Sequence, residues 1–302
     1  MRTATAPKSE STKFDAYEAV TAKVIAASEK GLPWQSVYNG GGLPLSMSTN
    51  RPYRGINILL LAIAQDSGQY ASRYWGTYKK IQELGGQVRK GEKSTMVTFW
   101  KRLDKEVVEN GESKQRSFMM LRTYLVFNAD QADWPQGLPA KFSPRQVEDP
   151  IAEAEAVIDS YRQFGPQFIS SDQSMAWYSP SRDLINVPDV RNIVSRDDHY
   201  STTFHEMVHS TGHESRLARE GIKDLAREHK GVYAFEELVA EFGAAFLSAH
   251  CGIESTLDNS GAYIAGWSKY LTNNPRAAVK AASLAQRAVD FILSTEWEEE
   301  GE

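Results

Sequence analysis

The run His205-Glu206-Met207-Val208-His209 carries the chemistry in this chain. Residues four apart on a helix share a face, so the two imidazoles can address one ion. At that spacing the pair suits Zn²⁺, with the intervening glutamate beside a water bound to the ion. The chain has a single cysteine, Cys251, which excludes a thiolate-rich structural zinc site and leaves three protein ligands with an open position. A histidine at position 215 would complete one arrangement, but Ser215 stands there. The alternative is a carboxylate from a later helix. The mostly apolar run from Phe235 to Leu247 offers Glu236, Glu237 and Glu241, and burying acids on such a helix needs a compensating cation. Glu237 is read as the third ligand. Glu241, one turn on, is read as an acceptor for a ligand imidazole. Glu236 or Glu241 as the ligand is the alternative, and His213 is read as a loop residue. With zinc bound, a water acidified to a pKa near ~7 gives its proton to Glu206 and attacks a peptide carbonyl. Tyr233 or His229 are candidates to steady the developing oxyanion.

The helix that must hold these histidines has its own punctuation. Asp197 or Asp198 can cap its start, and Gly212 can end it. Before it, 175–180 and 183–188 read as a two-stranded hairpin, a strand edge suited to an extended peptide. Helices are expected over 151–164, 235–247, 262–270 and 277–292, with a charged connection from Glu214 to Tyr233. The back half is therefore mostly helical with a short hairpin.

The front half reads as α+β. Phe14, Tyr17, Val20, Val24 and Ile25 recur at helical spacing between Lys13 and Lys30. Ile56–Ala64 is a buried helix, a second helix surrounds 78–84, and strands are expected at 95–101 and 117–128. Asn110-Gly111 marks the hairpin turn between them. Gly40-Gly41-Gly42 reads as a loop, because no Gly-Lys-Ser/Thr follows to make a phosphate cradle. Proline and glycine at 135–144 mark a linker, so two domains are expected at 12–140 and 141–302, after a disordered polar tail at 1–11. The 302 residues are long for one core.

Charge divides the chain at the same place. Residues 1–140 hold 19 Lys and Arg against 13 Asp and Glu, whereas 141–302 hold 15 against 26 and all six histidines. Hydrophobic content of 41% and charged content of 24% are those of an ordinary globular chain. No apolar run reaches the ~20 residues of a membrane helix, no signal peptide is evident, and the lone cysteine fits a reducing compartment. A cytoplasmic protein with no membrane partner is expected.

In front, Arg51, Arg54, Arg73, Lys79, Lys80, Arg89, Lys90 and Lys93 interleave with Tyr53, Tyr70, Tyr74, Trp75 and Tyr78. Cations attract phosphates and aromatic faces stack unpaired bases, a combination suited to single-stranded nucleic acid. An aromatic core beneath a solvated cationic face gives the same composition.

Leu32-Pro33-Trp34, Tyr53-Arg54-Gly55-Ile56-Asn57, the run Leu84 to Lys93, and Val126-Phe127-Asn128 resemble segments of one known family. So do Tyr178-Ser179-Pro180, His205 to His209, Thr211-Gly212-His213, Arg216-Leu217, and Glu236 to Glu241. Together these resemble the ArdC-type antirestriction proteins of conjugative plasmids, over nearly the whole chain. The resemblance implies an N-terminal domain that binds single-stranded DNA and a C-terminal zincin-like metallopeptidase domain. It also implies a role in shielding incoming plasmid DNA from host restriction endonucleases. A similar front domain occurs in plasmid primases. Two other readings remain at this point: a DNA shield whose zinc is only structural, and a cytoplasmic zinc protease whose front domain recruits protein substrates.

Overall fold

The computed structural model describes residues 15–29, 42–109, 112–142, 149–171, 175–189, 195–224, 230–253 and 261–295. The expected disordered tail, the Leu32-Pro33-Trp34 turn, Gly40-Gly41 and the last two residues of the linker, 143–144, lie outside them. Helix α1 (Ala16–Ser28) is capped by Asp15, which accepts from the amides of Tyr17 and Glu18. After β1 (Leu45–Ser46) comes α2 (Ile56–Gly68), whose Ile58, Leu59, Leu60 and Leu61 are all buried, as a helix apolar on every side requires. β2 (Tyr74–Gly76), α3 (Tyr78–Glu83) and β3 (Gln87–Val88) follow, with Thr77 capping α3.

β4 (Thr95–Glu109) and β5 (Glu112–Asn128) pair antiparallel from Thr95–Val126 out to Glu109–Glu112. The Asn110-Gly111 turn between them is outside the described residues. Both strands run further than expected from sequence. Beyond Lys101 polar residues break the apolar pattern, and the ladder continues with neither face fully buried. β1, β2, β5 and β4 form a four-stranded sheet in that order, and β3 pairs with β6 (Ala132–Asp133).

Helix α4 (Pro150–Arg162), capped by Asp149, opens the back half. β7 (Gln167–Ser171), β8 (Trp177–Ser179) and β9 (Leu184–Pro188) make a sheet ordered β7-β9-β8. The expected hairpin is thus one strand short of the observed sheet. β7 joins β9 in parallel, and its largely exposed side chains give no apolar alternation to betray it. Then come α5 (Arg196–Thr211), α6 (Glu220–Asp224), α7 (Lys230–Cys251), α8 (Gly261–Asn273) and α9 (Ala277–Ile292).

Helix α7 is the axis of the core. Leu238, Val239, Phe242, Ala245, Phe246 and Ala249 on it are buried between α5 and α9. α9 meets it with Ala278, Ala281, Ala282, Ala285 and Ala288, small residues that let helices approach closely. Against α5 the approach is set by Gly243, where a Cβ would come 2.6 Å from Val208 Cγ2. Val20 and Val24 of α1 and Ile56 and Leu59 of α2 join the same apolar cluster, so the front helices pack on the back half. The result is a two-domain α+β fold. No described helix is long and apolar enough to cross a membrane.

Candidate metal centre and nucleic-acid surface

Ser195, rather than Asp197 or Asp198, caps α5. Its Oγ accepts from the Asp198 amide at 3.1 Å and donates to the Asp198 carboxylate at 2.8 Å. The two acids instead occupy the first turn, where the helix dipole favours negative charge. Gly212 ends the helix as expected, donating its amide to the His209 carbonyl at 2.9 Å. Tyr200, Phe204, Met207, Val208 and Thr211 bury the inner face. That burial fixes the azimuth of His205 and His209, which project toward α7.

There the Nε2 atoms of His205 and His209 are 3.0 Å apart. The Glu237 carboxylate completes a triangle, with Oε1 3.4 Å from His209 Nε2 and Oε2 3.6 Å from His205 Nε2. An ion held tetrahedrally at ~2.0–2.1 Å separates its ligand atoms by about 3.3 Å. The three distances bracket that value, and these residues fit a divalent cation. Among the described residues, this is the group of acids and histidines close enough to share an ion.

The electrostatics agree with that fit. Burial disfavours charge on His209, but hydrogen bonds to Glu236 and Glu237 outweigh it and raise its pKa to about 10. His205 is raised as well: burial opposes its charge, while Glu237 and Glu241 overcome the penalty. Burial works against ionised Glu237 too, and its two imidazole partners nevertheless hold it far below the usual carboxylate range. Without an ion, protons supply the positive charge this carboxylate demands. Glu241 Oε1 lies 3.6 Å from His205 Nδ1, beside that ring but beyond hydrogen-bonding distance. Burial lifts its pKa to about 7 despite the nearby histidines, and its Oε2 has no hydrogen-bond partner.

Glu236 turns away from the triangle. Its Oε1 lies 3.4 Å from His209 Nδ1, and Arg219 grips its carboxylate through Nε at 3.1 Å and Nη2 at 2.6 Å. Arg219 also donates to Thr211 Oγ1 at 2.6 Å and to the Val208 carbonyl at 2.7 Å. A buried Arg219–Glu236 pair therefore orients one ring of the histidine pair and braces the end of α5. Sequence reading missed Arg219, which sits in an aperiodic charged connection. The available signal was Glu236 itself, an acid on a buried face that required a cation. Gly212 leaves room for this brace, since a Cβ there would lie 2.2 Å from Ile222 Cγ1 and 3.0 Å from the Arg219 guanidinium.

Glu206 is half-buried beside the triangle, and its charge favours protonation of both imidazoles. Arg216 ties the β8–β9 turn to α5 by donating to Asp183 and, at 2.8 Å, to the Ser210 carbonyl, while the Tyr178 hydroxyl donates to Asp183. His213 lies in the turn after α5, its Nδ1 2.8 Å from Ser215 Oγ, clear of the triangle. His229 and the side chain of Tyr233 lie outside the described residues.

The front half requires a correction. Tyr53, Tyr74 and Trp75, expected to stack on bases, are core residues: Trp75 has no exposed surface and Tyr74 packs on Phe142 at 4.9 Å. β2 is buried on both faces, Tyr74 in the cluster of Leu45, Met47 and Ile81 and Trp75 in that of Leu61, Val97 and Val126, with cations only at its flanks. Arg54 is paired with Asp290 of α9, and Arg73 lies over the Tyr74 ring at 5.7 Å. Lys79 and Lys80 pair with Glu83 at 3.9 and 3.6 Å. Arg51, Arg89, Lys90 and Lys93 are exposed, and Arg89 contacts Glu92 at 2.9 Å. Of the five aromatic residues expected there, Tyr78 is exposed, and the other exposed rings of the front half are Phe99, Trp100, Phe118 and Tyr124.

Comparison with known proteins identifies both halves. Residues 14–127 match the N-terminal domain of anti-restriction factor ArdC, and residues 153–284 match a zincin-like metallopeptidase family. The chain is 33% identical over 279 residues to DNA primase TraC of Escherichia coli, covering 87% of this chain but only 25% of that protein. It is 31% identical to the uncharacterized protein y4eC of Sinorhizobium fredii, covering 95% of this chain and 94% of that one. Its structure resembles the crystal structure of antirestriction protein ArdC from the R388 plasmid in the metal-free form. The TM-score is 0.76 at 36% identity, covering 93% of this chain and 97% of that one. The Mn(II)-bound form of the same protein gives 0.73 at 35% identity, covering 93% and 98%. By this full-length likeness, the chain belongs to the family of ArdC-type antirestriction proteins.

Proposed function

We propose that this protein binds single-stranded DNA and shields incoming plasmid DNA from host restriction endonucleases, and that its back half holds one Zn²⁺ in a hydrolytic centre. The observation that carries the metal half is the triangle of His205 Nε2, His209 Nε2 and the Glu237 carboxylate. Two imidazoles and a carboxylate on a zincin-like fold favour zinc, and the R388 relative was solved with Mn(II), which supports a divalent ion at this centre. In this reading His205, His209 and Glu237 are the ligands, and Glu241 and the Arg219–Glu236 pair orient the rings.

A bound ion supplies Lewis acidity and makes a water acidic enough to lose its proton near neutral pH. Glu206, one residue from His205 and half-exposed, takes that proton and returns it to the leaving amine. Among the described residues β8 pairs only with β9, so its other edge offers backbone groups to an extended peptide, and Arg216 with Asp183 holds the β8–β9 turn at the end of α5. The carboxylate of Glu206 leaves metal affinity to its neighbours. The DNA half rests on the ArdC likeness of residues 14–127 and on the excess of Lys and Arg before residue 140. Domain limits of 12–140 and 141–302, and a cytoplasmic site of action, belong to the same proposal.

The test is a titration of labelled single-stranded oligonucleotide into the full chain at two salt concentrations, run beside metal analysis of the purified protein. Salt-dependent binding and one equivalent of zinc are expected. No binding at either salt overturns the DNA half, and no tightly held divalent ion overturns the metal half.

A further inference from the structure

The β4–β5 hairpin concentrates exposed apolar surface. Seven of the eleven large hydrophobic side chains exposed among the described residues lie on it: Phe99, Trp100, Phe118, Met119, Met120, Tyr124 and Leu125. Among the described residues β2 pairs with β5 only at its base, at Phe127 and Asn128, and no other strand joins the outer hairpin, a two-stranded arm. From Trp100 to Glu109 it reaches ~30 Å. A ribbon of this kind is marginal alone, and so much exposed apolar surface marks an interaction site.

The register divides the arm into two unlike faces. Directly opposed residues in an antiparallel pair share a face, and alternate residues along each strand return to it. One face therefore carries Phe99 opposite Arg122, Lys101 opposite Met120, and Leu103 opposite Phe118, with Tyr124 opposite Val97. The next register positions bring Lys105 opposite Arg116 and Val107 opposite Lys114. From Val97 to Val107 this face has cations between aromatic rings and no acid. Acids return at the tip, at the Glu109–Glu112 pair. The hairpin's other acids, Asp104 and Glu106, fall on the opposite face, where Asp104 accepts from Arg102 and Ser117. At the base both faces meet the rest of the molecule, this one through Met96, Leu121 and Trp100 against Tyr17, the other through buried Val97 and Val126 beside Tyr53 and Trp75.

We infer that the Phe99–Arg122–Lys101–Phe118 face of the arm is the surface that takes single-stranded nucleic acid. The inference rests on the DNA-binding reading above and names its site. Bases stack on Phe118 and on the Phe99–Tyr124 pair, whose rings contact edge to face at 5.5 Å. Phosphates lie along Lys101, Arg116 and Arg122. Phe99 in turn leans on buried Tyr53, with ring centres 6.3 Å apart, so the platform is anchored at its base. Stacking needs bases free of their partners, which selects single strands over duplex. The alternation of ring and cation along a strand matches alternating base and phosphate better than it matches a protein partner, for which charges at the centre are depleted.

The experiment is fluorescence anisotropy of a labelled oligothymidylate with the full-length protein and exposed-residue variants whose thermal unfolding matches wild type. Phe118→Ala should weaken binding roughly 5- to 150-fold, the range of one lost base stack. Lys101→Gln with Arg122→Gln should lower the slope of log affinity against log salt by about 1.4, at ~0.7 for each phosphate no longer neutralised. Met119→Ser, on the opposite face, and Lys90→Gln, outside the arm, should bind as wild type does. Wild-type binding that all of these variants share would overturn the arm as the site while leaving DNA binding intact. Absence of wild-type binding would overturn the reading beneath it. Equal affinity for a duplex of the same length would overturn the stacking account.

Discussion

Replacing Arg219 by Met removes the cation from a carboxylate that cannot reach water. Glu236 is 1% exposed and Arg219 7%, so solvent does not screen the pair. Breaking a buried ion pair by deleting one partner costs about 3–5 kcal/mol, because the remaining charge is left desolvated. A folded chain of this kind has about 5–15 kcal/mol in total, so Arg219→Met should lose roughly a fifth or more of its stability. At roughly 2 °C per kcal/mol for a chain this long, the midpoint should fall by about 6–10 °C. The pH dependence has a definite sign. In the wild type, burial works against the Glu236 charge, yet His209 and Arg219 hold its pKa below the ordinary value. A depressed carboxylate contributes stability above its unfolded pKa and loses it as pH falls through the folded one. Removing Arg219 should therefore flatten the acid limb of the stability curve. The double variant Arg219→Met, Glu236→Gln should recover part of the loss at neutral pH. The assay is thermal unfolding between pH 4 and 8, with metal affinity measured on the same samples. Affinity should drop by about 10- to 100-fold, since Glu236, which faces His209 Nδ1, loses the cation that holds it in place. A stability loss below about 1 kcal/mol with unchanged metal affinity would refute the brace.

Other outcomes follow from the same geometry. Glu206→Gln should keep the metal equivalent and lower any peptide hydrolysis by about 10²- to 10⁴-fold, as read by metal analysis and a peptide-cleavage assay. The metal-free protein should lose stability as pH rises from about 6.5 toward His209's folded pKa of about 10, because a raised histidine stabilises only while protonated. Over that window zinc uptake should strengthen, since the ion must displace those protons; competition with a chelator dye measures it. Gly243→Ala should cost about 1–3 kcal/mol by pushing α7 off Val208, visible as a lowered denaturation midpoint.

The helical spacing of His205 and His209 and the acid-bearing apolar run at 235–247 made the cluster of His205, His209 and Glu237 legible before any coordinates. Both signals are local and carry their own physical cause. The choice among Glu236, Glu237 and Glu241 turned on an arginine seventeen residues before Glu236. No local pattern links Arg219 to Glu236, because their pairing depends on how α6 folds back over α7. The front half misled for a similar reason. Ring-and-cation composition is the same for a buried strand with charged flanks as for a binding surface, and Tyr53, Tyr74 and Trp75 proved to be the former. Apart from Tyr78, the aromatic rings of the front half that face solvent lie on β4 and β5, whose strands extend past the apolar stretch that marks them in sequence. β7 stayed hidden because an exposed edge strand has no alternation to display.

The most direct measurement is anomalous diffraction from crystals of the zinc-loaded protein, collected across the zinc edge. A single peak is expected within about 2.0–2.2 Å of His205 Nε2, His209 Nε2 and one Glu237 oxygen, with Glu236 still held by Arg219. A peak ligated by Glu236 or Glu241 in place of Glu237, or no peak between α5 and α7, would contradict the account.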